Sequence, residues 1–178
     1  MKEEIVSSIA QQIKEYEELL TDVEEHMRLI TDEYVQTIVQ INNQISETGQ
    51  YLGKETTRGT IWPYVKRPNK NYSRLLYLEY RSYAKRTPGR KLIISKRYSG
   101  KKQRRVNATA IENYYPEHML EKMTKDRDWE FELLKEFESK ATSLRGYYAA
   151  LFMNYRNLMT LHKDLTKETQ TEKEDAHV

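Results

Sequence analysis

The sequence predicts a mostly helical α+β protein: a long antiparallel helical hairpin of coiled-coil character carrying a small antiparallel β head. Three observations predict it. Apolar residues recur in steps of three and four near both ends of the 178-residue chain. The middle turns to β-branched and aromatic residues around Pro and Gly, and charge is segregated between these regions.

The first helix occupies residues 1–52. Its seam reads Ile5, Ile9, Ile13, Tyr16, Leu20, Val23, Met27, Ile30, Tyr34, Ile38, Ile41 and Ile45, and Gly49 stands where a left-handed residue closes a helix. At about 1.5 Å per residue this element is about 65 to 70 Å long. A helix of that length needs a partner for its seam.

The partner lies in residues 109–168, where Met123, Arg127, Glu130, Leu134, Phe137, Ala141, Leu144, Tyr148, Leu151, Tyr155, Leu158, His162 and Leu165 repeat the spacing. Thr109 to Glu112 fits a capping box, and Pro116 with Glu117 fits a second, main start. Leu133, Tyr147, Phe152, Met159 and Leu161 widen the stripe beyond what a two-stranded coil uses. A homodimer with Phe152 and Met159 in its contact is therefore expected. Residues 169–178 read as a polar tail.

Between the helices, residues 53–108 form the expected head, set at the far tip of the hairpin. Residues 73–83 and 91–98 read as strands, joined across Thr87, Pro88, Gly89 and Arg90 in a type II turn pattern. If Ala84 pairs with Arg90, Leu76, Leu78 and Tyr80 share a face with Leu92 and Ile94. The opposite face then carries Tyr77, Arg81, Tyr83, Lys91 and Arg97. Residues 61–66 add an edge strand, where Pro63 is tolerated, and a short strand ends near Val106.

Charge makes the head distinctive. Residues 1–52 hold three Lys/Arg against eleven Asp/Glu, residues 53–106 hold seventeen against two, and residues 107–178 hold ten against fourteen. The net +3 conceals this segregation. So one-sided a segment repels itself, and a counter-charged partner relieves the repulsion.

The head also holds Trp62, Tyr64, Tyr72, Tyr77, Tyr80, Tyr83 and Tyr98. Basic side chains attract phosphates, and tyrosines stack on bases or donate to phosphate oxygens. The expected partner is nucleic acid, DNA ahead of RNA. The residues assigned to it are Lys85, Arg86, Arg90 and Lys91 at the hairpin tip, Arg81, Arg97, Tyr77 and Tyr83 on the outer face, and Lys101, Lys102, Arg104 and Arg105 beyond. The alternative is a coiled-coil adaptor whose head binds an acidic protein surface, such as the cluster Glu15, Glu17, Glu18, Asp22, Glu24 and Glu25 supplies.

Other classes find little support. The four histidines show no metal-binding spacing, the head offers only Glu55 and Glu79 as carboxylates, and no glycine-rich phosphate loop is present. No enzyme activity, catalytic residue, metal or cofactor is expected. The absence of cysteine removes disulfides and thiolate sites. No window approaches the roughly 18 apolar residues of a membrane span, and the first residues lack a signal-peptide pattern. The expectation is a protein with no membrane partner, in the cytoplasm or another reducing compartment.

Overall fold

The structure, a computed structural model, describes residues 2–66, 76–83, 94–98, 101–105, 108–125 and 127–175. Helix α1 runs Lys2–Thr48 and helix α3 runs Asp128–Asp175. They pack antiparallel: Lys2 reaches Glu168 at 3.9 Å, Tyr155 donates to Glu17 at 2.9 Å, and the rings of Tyr34 and Phe137 lie 5.0 Å apart.

Most of the α1 seam is buried as its spacing predicts, while Ile5 is exposed and Ile13, Tyr16 and Ile30 are half-buried. Ile9, Leu20, Val23, Met27, Tyr34, Ile38, Ile41 and Ile45 are buried on α1, and those from Leu20 to Ile38 share one core with Leu134, Phe137, Ala141, Tyr148 and Leu151 of α3. Each large apolar side chain so buried contributes about 1.5 to 3 kcal/mol. Gly49 ends α1 at φ +70°, its N–H donating to the Ile45 carbonyl at 2.9 Å.

A two-residue hairpin follows, β1 (Gln50–Tyr51) against β2 (Lys54–Glu55). The main sheet is antiparallel in the order β3 (Ile61–Lys66), β4 (Tyr77–Tyr83), β5 (Ile94–Tyr98). Pro63 thus lies on an edge strand of the described sheet, the position where a proline is tolerated. Strands β6 (Lys101–Arg105) and β7 (Ala108–Tyr114) form a second antiparallel ribbon.

The structure departs from the sequence expectations at several points. Residues 108–114 are strand β7, so Thr109 to Glu112 caps no helix. Helix α2 (Glu117–Thr124) does begin after Pro116, but it stops at Lys125, whose φ of +53° turns the chain before α3. The described pairs of β4 and β5 set Tyr80 opposite Tyr98 and Arg81 opposite Arg97, whereas an Ala84 to Arg90 pairing sets Tyr80 opposite Ile94. That offset of four residues is even, so Arg81 and Arg97 still share a face. An irregularity at Ser82 and Tyr83 then brings Ile94 opposite Tyr83. The pairing of Ala84 with Arg90 itself, with Leu92, lies outside the described residues.

The head is also not simply perched on the tip of the hairpin. Ile61, Leu76, Leu78 and Tyr80 join one core with Met27, Tyr34 and Ile38 of α1, Leu134 and Phe137 of α3, and Tyr115. A small sheet cannot bury its apolar face alone, and the flank of the stalk supplies the second layer.

Candidate nucleic-acid interface

Two buried carboxylates on α3, eight residues apart, fasten the head to the stalk. Glu130 Oε1 accepts the backbone N–H groups of Thr60 and Ile61 at 2.6 and 2.8 Å, and its Oε2 accepts Arg127 Nε at 2.6 Å. Burial pushes the Glu130 carboxyl above its usual range, against the opposing pull of Arg127 and the Ile61 N–H. From the other side Asn42 of α1 clamps Gly59, accepting its N–H at 2.7 Å and donating to its carbonyl at 3.1 Å. A Cβ at Gly59 would stand 2.7 Å from Trp129 and 2.8 Å from Glu130, so only glycine fits between the helices. The entry to β3 is thereby pinned to both stalk helices.

Glu138 does the same for β4 and β7. Its Oε2 accepts the Tyr80 hydroxyl at 2.6 Å, and its Oε1 accepts Arg145 Nη2 at 2.5 Å, Thr142 Oγ1 at 2.9 Å and the Tyr115 N–H at 3.3 Å. The Tyr115 hydroxyl in turn lies 3.0 Å from the Leu78 carbonyl and 2.8 Å from that of Tyr98. Burial, then Glu138, raises the Tyr80 phenol well above its usual range, so it stays a donor. Arg145 is itself buried, with Nε and Nη1 lacking a hydrogen-bond partner among the described residues, which makes it dependent on the Glu138 carboxylate.

With its inner face fixed, the sheet presents an outer one. Trp62, Arg81 and Arg97 lie in register across β3, β4 and β5, and Tyr64 pairs with Glu79 in the next row. Glu79 is buried beneath the arginines: Arg81 Nε donates to its Oε1 at 2.8 Å, while Arg97 Nε stands 4.0 Å away. The Arg81 guanidinium lies 3.5 Å from the centre of the Tyr64 ring. Two guanidinium groups directly opposite each other repel, and the carboxylate below offsets that cost.

The assigned site residues are distributed as follows. Arg81 and Arg97 come together on this face, Arg81 held and Arg97 exposed. Tyr77 and Tyr83 bound β4, and Lys101, Lys102, Arg104 and Arg105 follow one another along β6, which pairs with β7 and so roots in Tyr115. Lys85, Arg86, Arg90 and Lys91 lie outside the described residues. On the stalk, Phe152 is buried within its own chain beside Tyr148 and Tyr155, while Met159 is exposed.

Sequence reasoning missed Glu130, Glu138, Asn42 and Gly59 as fastenings. A signal was there for one of them, since Arg127 and Glu130 are charged residues at positions of an apolar seam. A cleft of about 880 Å³ between the β1–β2 hairpin and the helices, lined by Ile41, Tyr51, Trp129 and Leu133 among charges of both signs, contains none of the assigned residues. Among the described residues no group of three His, Asp or Glu stands close enough to hold a metal, and no helix is long and apolar enough to cross a membrane. Comparison with protein-family models, curated proteins and solved structures finds no match to the chain.

Proposed function

We propose that this chain is a non-enzymatic nucleic-acid-binding protein, acting on DNA ahead of RNA, in which the basic β head grips phosphate and the coiled-coil stalk dimerises. The observation that carries the reading is the charge of residues 53–106, seventeen Lys/Arg against two Asp/Glu, in a segment whose described sheet commits its inner face to the stalk. A sheet held by Glu130 and Glu138 keeps its basic outer face and the β6–β7 ribbon in fixed relation to the stalk. Such a surface lowers its own electrostatic energy by taking up a polyanion and releasing the counterions. The setting that suits it is the cytoplasm or another reducing compartment.

The test is competition binding of the pure full-length chain against double-stranded DNA, single-stranded DNA and RNA at several salt concentrations. Binding that weakens steeply with salt supports the reading. No binding to any of the three at low salt, by a folded chain, overturns it.

A further inference from the structure

On that reading, we infer that the outer face of the β3–β4–β5 sheet is a seat for an unpaired nucleotide, with Tyr64 taking the base and Arg97 the phosphate. The basic segment attracts any polyanion; this face adds a feature that distinguishes one strand from two.

Tyr64 is 45% exposed although it sits on an edge strand beside a packed core. One side of it carries the Arg81 guanidinium at 3.5 Å, which Glu79 fixes in place from below. Arg81 thus holds one face of the ring, and part of the ordering cost of stacking a base on the ring is met before a ligand arrives. Arg97, 61% exposed and 4.0 Å from Glu79, is attracted by that carboxylate without a hydrogen bond to it. Its exposed guanidinium can bind a phosphate in the forked manner that arginine favours.

Tyr64 and Arg97 lie on the two outer strands, two strand spacings apart across the sheet and two residues apart along it, so about 12 Å separates their backbones. A nucleic-acid strand crossing the sheet can lay a base on Tyr64 and an adjacent phosphate on Arg97. In a duplex the base faces are stacked inside, so the ring meets only backbone and contributes no stacking. Sequence-tolerant stacking on aromatic rings beside basic groups is the general chemistry of single-strand binding.

The experiment compares fluorescence anisotropy of a labelled oligonucleotide, single-stranded and in duplex, with the full chain and its Tyr64→Leu, Tyr64→Phe and Arg97→Gln variants, each checked by circular dichroism. Tyr64→Leu should weaken single-strand binding about tenfold and leave duplex binding within error, with Tyr64→Phe close to wild type. Arg97→Gln should lower the salt dependence by about one phosphate contact on the single strand. Equal loss on both substrates, or no loss on the single strand, overturns the inference while the proposed function stands. Failure of the wild-type chain to bind either substrate overturns the inference, and failure to bind RNA as well overturns the proposed function.

Discussion

The hydroxyl of Tyr80, in the central strand of the head, donates to Oε2 of Glu138 on α3 across 2.6 Å, while the other oxygen of that carboxylate takes Nη2 of Arg145. Sheet and stalk share one buried acceptor. Tyr80→Phe removes one hydrogen bond to a charged group and should cost about 1.5 to 3 kcal/mol. Glu138→Ala also strands Arg145 without its carboxylate and should cost about 3 to 5 kcal/mol. Urea unfolding followed by circular dichroism measures both, and equal costs would show that Arg145 does not depend on Glu138.

Glu130 predicts a pH dependence. Its carboxyl is raised above the usual range chiefly by burial, so the folded chain holds that proton more tightly than the unfolded chain does. The stability gained from it is complete below the ordinary carboxylate pKa and lost as pH rises through the raised one. The stability of wild type relative to Glu130→Gln should therefore fall across that window. A difference that grows with pH would mean that Arg127 outweighs burial.

The basic ribbon predicts a salt dependence. If about six of the residues from Lys85 to Arg105 meet phosphates, log affinity for duplex DNA should fall against log salt with a slope of about −5. Replacing Arg104 and Arg105 by Ala should flatten it by about two and leave the unfolding curve unchanged. An unchanged slope would place the phosphate contacts elsewhere.

The proposed dimerisation predicts a split between two positions on α3. Phe152 is buried against its own stalk, and Met159 and Leu161 are exposed. Met159→Glu with Leu161→Glu should give folded monomers in sedimentation, because a charge buried in a contact without a partner is costly. Phe152→Glu should instead unfold the stalk. A dimer that survives the first change uses another face.

The acidic-surface alternative is tested on α1. Glu18, Asp22 and Glu25 are exposed, whereas Glu17 and Glu24 accept hydrogen bonds from Tyr155 and Tyr148. Changing the first three to Lys should leave DNA affinity equal or higher. Loss of self-association in a chain that binds no nucleic acid would favour the adaptor reading.

The two long helices were legible in the sequence because the helical period is a local property: Leu20, Val23, Met27, Tyr34 and Ile38 mark their buried face whatever they pack against. Pro63 likewise marked its own edge strand, and Gly49 its helix end. The segregation of charge was legible for the same reason, being a count along the chain.

Tertiary structure decided the rest. It seated the sheet on the flank of the stalk, turned residues 108–114 into a strand, moved Tyr80 opposite Tyr98 and committed Phe152 to its own chain. It also gave Glu130 and Glu138 their work, since neither carboxylate shows in sequence which N–H or hydroxyl it will accept. Such pairings join residues as far apart as Ile61 and Glu130, and they are selected by which arrangement buries the sheet's apolar face while leaving its backbone donors satisfied. A local pattern records what a residue prefers, and only the folded chain determines what it meets.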